Sequence, residues 1–460
     1  MIRKVFLQTF GCQMNERDSE AVFGLLFEHG FRQAEKDSEA DLILYNTCSV
    51  RDHAEQKVFG RMGRFRGLKE RNPSLIVGII GCMAQEHGEN FFRKNPEIDL
   101  VCGPSNLRQI PDLVDEIERN RKPRLAVDQL GAKYGLDDIS YRSDGLKAFV
   151  TIMTGCDHKC TYCIVPYTRG REISRSPENI LKEMKDLESR GFKEVMLLGQ
   201  NVNSYGKFDG RPQGAPLRDG FDFVDLLEMI QREAPGIRRL RFITSHPKDA
   251  HERLFKAMRD LPMVCGHLHL PVQSGSDRVL RRMKREHTAA WYLGQVDQYR
   301  RLVPDGTLTT DFIVGFPGEM DEDFERTMEL ARRAEFDGAF IFQYSPRPGT
   351  PALKLKDDVT GPEKSRRHRE LLALQRSVSL MKNQACIGRT LEVLFEAPTR
   401  RGENRWAGRT REYKRVVASS AEDLTGQFRD VKITGALDET LLGDLGVDGL
   451  RDRQRVRARI

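Results

Sequence analysis

Short apolar runs alternate with amphipathic stretches over the first 120 residues of the chain. Four runs have the length and continuous apolar character of buried strands, at residues 4–9, 42–46, 76–80 and 98–101. Residues 19–29 and 58–71 repeat apolar side chains at helical spacing between those runs. Because strands that alternate with helices favour a parallel sheet, residues 1–120 are predicted to form an open, Rossmann-like α/β domain.

The same alternation returns after a polar stretch at 121–145, which is predicted to be a linker. Six further strands are predicted, at residues 148–153, 194–198, 240–244, 266–270, 309–314 and 339–343. Helical periodicity is found at residues 177–190, 223–233, 249–260, 289–302 and 323–333. Six units are too few for a closed eight-fold barrel, so residues 146–375 are predicted to form a partial, open (β/α)6 barrel.

The pattern changes again near the end of the chain. One long helix is predicted at 362–384, followed by short strands at 390–395, 415–417 and 429–434. Short strands separated by turn residues are typical of a small all-β barrel, predicted here at 376–445 and followed by a tail at 446–460. The fold class is therefore α/β, with a parallel-sheet domain, a partial barrel and a small C-terminal β-barrel.

Composition narrows the classes of protein that this chain can represent. Of its 460 residues, 39% are hydrophobic and 31% are charged, which is ordinary for a soluble globular protein and excludes wholesale disorder. The longest apolar run, residues 75–83, is too short to span a membrane, and the apolar run at 5–7 is too short for a signal peptide. We therefore expect a cytoplasmic protein that does not associate with membranes.

Nine cysteines, an odd number, indicate metal-binding or catalytic thiols in a reducing compartment. Cys156, Cys160 and Cys163 have the spacing C-x3-C-x2-C and follow the first strand of the predicted barrel, where the active sites of such barrels lie. Three cysteines can hold an iron–sulfur cluster and leave one iron open. The alternative is a zinc ribbon whose fourth ligand is His158 or Cys265, although ribbons usually have two C-x2-C pairs.

Three other cysteines each follow a predicted strand of the N-terminal domain: Cys12, Cys48 and Cys82. The carboxyl ends of parallel strands share one edge of a sheet, so these thiols are predicted to meet there and bind a ligand. The alternative is that all three are simply buried thiols, because free cysteine is among the most buried residues. Cys102 also ends a predicted strand and is interpreted as a packed thiol.

Polar and glycine residues follow several barrel strands, among them Gly199, Gln200, Asn201, Gln273 and Ser274. They are candidates for binding a small polar ligand, although ordinary turns favour the same residue types. Residues 400–415 carry seven basic side chains against Glu403 and Glu412, a net charge of +5. Basic residues interleaved with aromatic ones suit RNA, and a solvated face is the alternative. The candidate RNA contacts are Arg400, Arg401, Arg405, Trp406, Arg409 and Lys414.

The cysteine triplet resembles the signature of the radical S-adenosylmethionine (SAM) superfamily. Blocks at 9–15, 46–51, 81–85, 163–172 and 198–206 are similar, in chain order, to those of the radical SAM methylthiotransferase family. Residues 408–410 and 416–417 resemble the TRAM domain, an RNA-binding β-barrel, although Tyr413 stands where that family often has asparagine. Within the family, Gln13, Met14 and Asn15 favour the MiaB-type branch, which acts on isopentenyl-adenosine.

The resemblance implies two 4Fe-4S clusters and SAM as cofactors. One cluster would be bound by Cys156, Cys160 and Cys163, with SAM on its open iron and held by Gly199, Gln200, Asn201, Gln273 and Ser274. The other, an auxiliary cluster on Cys12, Cys48 and Cys82, would carry the sulfur that is delivered. The implied reaction adds a methylthio group to carbon 2 of N6-isopentenyl-adenosine at position 37 of tRNA. SAM would be used twice, once as methyl donor and once as radical source, with no general base.

The resemblance also implies partners and leaves alternatives open. The partners would be the anticodon stem-loop of tRNA, an electron donor such as flavodoxin or ferredoxin, and a sulfur source, with the enzyme a monomer. Related enzymes methylthiolate threonylcarbamoyl-adenosine in tRNA or an aspartate of a ribosomal protein. An iron–sulfur protein that binds RNA and senses redox state is the non-enzymatic alternative.

Overall fold

The computed structural model describes residues 3–49, 58–127, 135–136, 138–206, 220–400 and 402–446. The chain divides into two units, which are described separately below. The first unit consists of Met1–Gly236, Phe242–Thr244 and Ser345–Leu355. The second consists of Ile237–Arg241, Ser245–Tyr344 and Lys356–Ile460. Among the described residues, no helix is both long enough and apolar enough to cross a membrane.

A six-stranded, wholly parallel sheet organises the N-terminal part of the first unit, in the order β2-β1-β3-β4-β5-β6. Its strands are β1 (Arg3–Phe10), β2 (Phe31–Gln33), β3 (Leu42–Thr47), β4 (Ile76–Gly81), β5 (Leu100–Cys102) and β6 (Arg124–Ala126). The central strands β3 and β4 are buried along their whole length. Continuous burial of this kind is expected where helices cover both faces of a parallel sheet.

Alternate side chains of the central strands enter two separate hydrophobic cores. Leu42 and Leu44 point into one core, whereas Ile43 and Tyr45 point into the other. The helices of this part are Gln13–Glu28, Phe65–Arg71, Cys82–His87, Asn90–Lys94 and Ile110–Asn120, with 3-10 turns at Asp37–Glu39 and Leu107–Gln109. The predicted parallel α/β sheet is therefore confirmed.

Two short edge strands were not predicted from the sequence. β2 and β6 contain three residues each, too few to show a strand period, and most of their residues are exposed or half-buried. β6 lies within the stretch 121–145 that was predicted to be a linker. The predicted helix at 19–29 begins earlier, at Gln13, and residues 58–62 of the predicted helix 58–71 are also helical.

The rest of the first unit carries the first strands of the predicted barrel. β7 (Lys147–Thr151) pairs in parallel with β10 (Glu194–Leu198), and β8 (Met153–Thr154) pairs antiparallel with β9 (Ile173–Ser174). The helices are Val165–Thr168, Pro177–Ser189 and Phe223–Glu233, with 3-10 turns at Val202–Ser204 and Pro351–Lys354. The strand and helix positions agree with the predicted ones to within a few residues.

The second unit holds the remaining strands, β11 (Arg239–Phe242), β12 (His267–His269), β13 (Thr307–Val314) and β14 (Gly338–Gln343). The last residue of β11 belongs to the first unit. β12, β13 and β14 form a parallel sheet in that order. Its helices are Glu252–Asp260, Asp277–Arg282, Ala289–Leu302, Asp321–Ala334 and Gly361–Gln384, with a 3-10 turn at Pro247–Asp249. Assembly of the strands of both units into one partial barrel stays a prediction.

The predicted small C-terminal barrel is confirmed as a closed five-stranded barrel of order β15-β16-β17-β19-β18. Its strands are β15 (Thr390–Pro398), β16 (Arg405–Thr410), β17 (Arg415–Ser419), β18 (Phe428–Ala436) and β19 (Leu441–Leu445). Val393, Phe395, Val416 and Val431 fill its interior. β16 and β19 were not predicted, because charged residues and glycine interrupt their alternation. Of the tail predicted at 446–460, all residues after 446 lie outside the described part of the chain.

Buried arginines of β11 fix this barrel within the second unit. Arg241 donates hydrogen bonds to the carbonyl oxygens of Thr410 (2.8 Å) and Arg411 (2.7 Å) in the β16–β17 hairpin. Its guanidinium also lies 4.9 Å from the centroid of the Tyr413 ring, and that ring stacks on His267. The hairpin is therefore held by hydrogen bonds and stacking against the strands, rather than tethered only by the preceding helix.

We expect Arg241→Met to loosen the attachment of this hairpin. The substitution removes both hydrogen bonds and leaves carbonyl groups without partners, at a cost of about 1–3 kcal/mol for each buried group. Thermal unfolding should show a midpoint several degrees below that of the wild type. Arg238→Met is the matched control, because the exposed ion pair of Arg238 with Glu392 and its contact with the Phe428 ring each contribute only about 0–1 kcal/mol, and no buried carbonyl group loses a partner. Equal midpoints for the two variants would contradict the role given to Arg241.

Candidate functional site: two sets of three cysteines

Three of the predicted cysteines lie at the carboxyl ends of adjacent strands in the N-terminal sheet. Cys12 follows β1 by two residues, whereas Cys48 and Cys82 directly follow β3 and β4. Phe10 is paired with Thr47, and Thr47 with Gly81, so the three strands end level with one another. The Cys48 backbone amide also donates to the carbonyl oxygen of Phe10 at 3.0 Å. The structure therefore brings together three thiols that lie far apart in sequence.

The backbone around these thiols tolerates no side chain at two glycine positions. Gly81 has φ of 90°, and a Cβ there would lie 2.3 Å from Oδ1 of Asn46. A Cβ at Gly11 would lie 2.5 Å from Oδ1 of Asn15 and 2.9 Å from Cβ of Cys48. Asn15 and Asn46 are themselves fully buried and joined by a 2.9 Å hydrogen bond. Close packing of glycines and buried amides thus fixes the segments that carry the thiols.

The thiols are close enough to alter one another's ionisation. A hydrogen bond with the Cys48 thiol lowers the pKa of Cys12 to about 6, against the opposing effect of burial. Burial raises the pKa of Cys82, while the positive charge of Arg169 acts in the opposite direction. The Nε of Arg169 lies 3.3 Å from Sγ of Cys82. Thiolates are the form in which cysteine binds metals, so an adjacent guanidinium suits a ligand set of this kind.

The C-x3-C-x2-C segment forms a loop directly after β8. Gly155 begins it with φ of 76°, and a Cβ there would lie 1.9 Å from the carbonyl oxygen of Arg171. The Cys156 amide donates to the carbonyl oxygen of Gly170 at 3.2 Å, and the Cys163 amide to that of Cys160 at 3.1 Å. These contacts fold the loop back on the segment that follows it, which is why glycine is required at position 155.

The loop gathers its three thiols at one place. Burial raises the pKa of Cys156, and the neighbouring Cys163 and Cys160 raise it further. Cys160 is buried, while Cys156 and Cys163 are half-buried. A cluster that contributes positive charge would offset the repulsion between such thiolates, so this donor set fits an iron–sulfur cluster held by three cysteines. Cys102 packs in a hydrophobic core of the N-terminal sheet, and Cys386 packs in the core of the C-terminal barrel.

The predicted SAM contacts lie in both units. Gly199, Gln200 and Asn201 directly follow β10, and Oε1 of Gln200 accepts a 2.6 Å hydrogen bond from the Gly155 amide. In the second unit, Gln273 has φ of 74°, and its Oε1 is buried without a hydrogen-bond partner among the described residues. Ser274 is fully buried and its hydroxyl lies 3.3 Å from that of Thr327. Among these five residues, Gln273 has a buried acceptor atom that a ligand could satisfy. All five SAM contacts stay predictions.

The predicted RNA contacts divide into two groups. Arg400 and Arg405 are exposed, and Arg401 lies outside the described residues. Trp406 is half-buried and donates from Nε1 to the carbonyl oxygen of Ser420 at 3.1 Å. The Nζ of Lys414 is 2.9 Å from both Asp337 and Asn383. The guanidinium of Arg409 lies 4.4 Å from the Tyr413 ring centroid.

The basic segment is therefore not one continuous exposed strip. Arg409 and Lys414 belong to the hairpin that packs within the second unit, and the Lys414 ammonium is largely buried beside Asp337, a carboxylate that it shares with Lys382. Arg400 and Arg405 lie at the other end of the segment: Arg400 follows β15 by two residues, and Arg405 is the first residue of β16. Both remain predicted phosphate contacts, with exposed cationic groups suited to that role.

Sequence reasoning assigned no role to Arg169 or Asp18. The structure places their buried ion pair, 2.6 Å between Nη2 and Oδ2, beside Cys82. The two residues are 151 positions apart, so no local pattern in the sequence indicates that they pair.

Three family models match the chain. They are the Radical SAM superfamily at residues 150–331, the Uncharacterized protein family UPF0004 at 4–103, and the TRAM domain at 384–445. The model matches thus cover, in turn, the cysteine loop, the three N-terminal cysteines and the C-terminal barrel.

Curated relatives match almost the whole chain. A "tRNA-2-methylthio-N(6)-dimethylallyladenosine synthase" of Moorella thermoacetica is 44% identical over 450 residues, which is 97% of this chain and 99% of the relative. Proteins of the same name from Symbiobacterium thermophilum and Protochlamydia amoebophila are 45% and 43% identical, each over 96% of this chain and over 94% and 96% of the relative.

Solved structures of similar fold come from more distant proteins. The radical S-adenosylmethionine methyltransferase TsrM of Kitasatospora setae, with tryptophan substrate and a SAM analog bound, matches with a TM-score of 0.53 and 13% identity. That match covers 88% of this chain and 78% of TsrM. The cobalamin-dependent SAM radical enzyme OxsB, with aqua-cobalamin bound, has a TM-score of 0.50 and 13% identity, over 82% of this chain and 56% of OxsB. At such identities the likeness shows the fold alone.

Together, the cysteine loop and these matches define a radical SAM enzyme. Two further family models match the part of the chain that carries the three N-terminal thiols and the C-terminal barrel, so the chain shares more than the radical SAM part with its relatives. The chain belongs to the family of tRNA-2-methylthio-N(6)-dimethylallyladenosine synthases.

We expect Gly155→Ala to prevent cluster binding at the C-x3-C-x2-C loop. The added Cβ would collide with the Arg171 carbonyl oxygen and would sit at a strained positive φ. Iron analysis after anaerobic reconstitution should show a loss of about half the iron if each set of three cysteines binds one cluster.

Gly191→Ala is the matched control for that measurement. Gly191 has a similar φ of 82°, but a Cβ there meets no atom within 4 Å. The control therefore carries the strain without the collision and should keep its full iron content. Full iron in Gly155→Ala would contradict the requirement for glycine in this loop.

Proposed function

We propose that the protein adds a methylthio group to carbon 2 of N6-dimethylallyl-adenosine (isopentenyl-adenosine) at position 37 of tRNA. One observation carries the proposal: the first unit gathers two separate sets of three thiols, one at the edge of a parallel sheet and one in the loop after β8. Radical generation and sulfur delivery are different tasks, and two cluster sites allow one for each. Family membership supports the choice of substrate.

Cys156, Cys160 and Cys163 would hold a 4Fe-4S cluster whose open iron binds SAM. When bound, the cluster and SAM supply radical chemistry that can remove a hydrogen atom lacking acidic character. Carbon 2 of adenine bears such a hydrogen, which explains why no general base is proposed. The loop's own contribution is position: Gly155 and the Gly170 carbonyl oxygen hold Cys156 in place.

The proposed SAM contacts would orient that molecule and exclude water around it. Gln273 contributes a buried Oε1 that can accept a hydrogen bond from a ribose hydroxyl. Gln200 already accepts a hydrogen bond from the Gly155 amide, so its proposed role includes holding the cysteine loop. Gly199 and Asn201, the residues on either side of it, would face the SAM amino group, and Ser274 would contribute from its buried turn.

Cys12, Cys48 and Cys82 would hold the auxiliary 4Fe-4S cluster and present the sulfur to be transferred. Gly11 and Gly81 leave the room that the thiol-bearing segments need to meet. A fourth cysteine ligand is not proposed, so that one iron of the cluster stays available for sulfur.

The C-terminal barrel would bind tRNA near its anticodon. Arg400 and Arg405 would contact phosphates, whereas Arg409 and Lys414 chiefly hold the barrel in the second unit. We further propose that the enzyme works as a monomer in the cytoplasm. It would take electrons from a flavodoxin or ferredoxin and need a separate sulfur source for its auxiliary cluster.

Changing Cys156, Cys160 and Cys163 together to alanine should separate the two cluster sites. We expect about half the iron to remain and the conversion of SAM to 5′-deoxyadenosine to disappear, because one of two clusters is lost. Cys82→Ala is the complementary variant: it should still produce 5′-deoxyadenosine but no methylthiolated nucleoside in tRNA. Mass spectrometry of digested tRNA measures the second product.

Two outcomes of that experiment would contradict the proposal. Complete loss of iron in the triple variant would mean that the two sites are not independent. A wild-type protein that is reduced, holds both clusters and yet forms no 5′-deoxyadenosine from SAM would favour a redox-sensing protein instead.

Replacing Arg400 and Arg405 together with glutamine should weaken tRNA binding. Each lost phosphate contact lowers the slope of log affinity against log salt by roughly one unit, because fewer counterions are released. Tryptophan fluorescence or filter binding at several salt concentrations measures this slope. Lys414→Gln is the control, since the Lys414 ammonium is largely buried and hydrogen-bonded to Asp337 and Asn383; it is not placed to contact a phosphate, and the slope should stay the same. An unchanged slope in the double variant would assign Arg400 and Arg405 to a solvated face.

A further inference from the structure

A buried ion pair lies directly beside the thiols of the auxiliary site. Nη2 of Arg169 is 2.6 Å from Oδ2 of Asp18, and the side chains are 5% and 0% exposed. Nε of the same guanidinium donates to Sγ of Cys82 at 3.3 Å. Arg169 thus donates to two different partners, Asp18 and Cys82, and Cys82 is a proposed cluster ligand.

The ion pair connects segments from both sets of cysteines. Asp18 lies on the helix Gln13–Glu28, for which Cys12 is the N-cap residue. Arg169 directly follows the short helix Val165–Thr168, which begins two residues after Cys163. The next residue, Gly170, accepts the backbone hydrogen bond of Cys156 at 3.2 Å. Residues 169 and 170 therefore contact the auxiliary site and the cysteine loop at the same time.

Arg169 stays charged in this buried place. Arginine is not deprotonated in proteins, and the Asp18 carboxylate lies against its guanidinium. The second oxygen of Asp18, Oδ1, is buried and has no hydrogen-bond partner among the described residues. An ion pair with an incompletely satisfied carboxylate is costly to bury, so stability alone does not account for its position.

We infer that Arg169 is a positioning residue that sets the reduction potential of the auxiliary cluster through its hydrogen bond to Cys82, with Asp18 as the opposing charge. The inference rests on the proposed function, which places a cluster on Cys12, Cys48 and Cys82. Reduction adds a negative charge to a cluster, and a nearby cation or N–H donor stabilises the reduced form. Arg169 therefore raises the potential, and the carboxylate of Asp18 lowers it.

These opposite charges give the inference a signature that mere structural support would not produce. Arg169→Met removes the cation and the donor, so the auxiliary cluster should become harder to reduce. Asp18→Asn replaces the carboxylate with a neutral amide of nearly the same shape, so the cluster should become easier to reduce. A pair that only held the fold together would shift both variants in the same direction, or would shift neither.

The measurement is a redox titration followed by electron paramagnetic resonance. The full chain is used, with Cys156, Cys160 and Cys163 changed to alanine, so that only the auxiliary cluster contributes to the signal. At a fixed solution potential, the ratio of reduced to oxidised cluster should fall about tenfold in Arg169→Met, which is 59 mV for a one-electron couple. The same ratio should rise severalfold in Asp18→Asn.

Two further variants complete the experiment. Arg169→Lys keeps the charge but loses the planar donor geometry, so it should recover part of the shift. Arg171→Met is the matched control: Arg171 lies two residues away, is largely exposed and pairs with Asp157 rather than with a thiol. The titration of this control should coincide with that of the parent protein.

The outcomes distinguish failure of this inference from failure of the proposed function. If the parent protein with the three alanine substitutions binds no cluster, the assignment of Cys12, Cys48 and Cys82 fails. If the parent binds a cluster, but the potentials of Arg169→Met and Asp18→Asn shift in the same direction or do not shift, the role of Arg169 is overturned. The assignment of the three cysteines then still stands. Should Arg169→Met fail to fold, the sign of the shift in Asp18→Asn and the size of that in Arg169→Lys decide the matter.

Discussion

Parallel pairing of β1, β3 and β4 is the constraint on which the convergence of Cys12, Cys48 and Cys82 depends. The register that joins Phe10 to Thr47 and Thr47 to Gly81 makes the three strands end at the same level. A slip of one residue would turn every side chain of a strand to the opposite face and would exchange the two cores of the sheet. The strand register that packs the two cores correctly is therefore also the register that brings the three thiols together.

A second set of buried charges joins the N-terminal sheet to the strands that follow it in the first unit. Glu183 accepts from Arg175 at 2.7 Å and also pairs with Arg142, while Arg17 donates to the carbonyl oxygen of Ile139 at 2.8 Å. These groups belong to the helices Gln13–Glu28 and Pro177–Ser189 and to the chain between them. Buried ion pairs add little net stability, but they penalise any arrangement that separates the partners. They thus favour one orientation of the sheet relative to β7 and β10.

The sequence was most informative where local chemistry decides the structure. Strands such as Ile76–Gly81 and helices such as Ala289–Leu302 were predicted to within a residue or two, because a continuous apolar run indicates the strand and apolar residues at helical spacing indicate the helix. Spacing and position after strands selected six cysteines as cluster ligands; the structure gathers them into two sets of three, and their role as ligands stays a prediction. Edge strands such as Arg124–Ala126 carry too little pattern to be recognised before the sheet exists.

Long-range contacts set the limit of such prediction. Lys414 was interpreted as an RNA contact from local charge, yet its partner Asp337 lies 77 residues earlier in the chain. Arg169 and Asp18 are 151 residues apart, so their pairing follows from the fold alone. Buried arginines in particular escape sequence reasoning, because arginine is ordinarily an exposed residue.

Docking of the β16–β17 hairpin has a consequence for how RNA is captured. A domain on a flexible tether loses orientational freedom when it binds its target, and that loss weakens affinity. Here Arg241 and the stacked pair His267 and Tyr413 have already removed that freedom during folding. Under the proposed function, the C-terminal barrel would meet tRNA as a preorganised surface, so that binding would not have to fix the orientation of the barrel within the second unit.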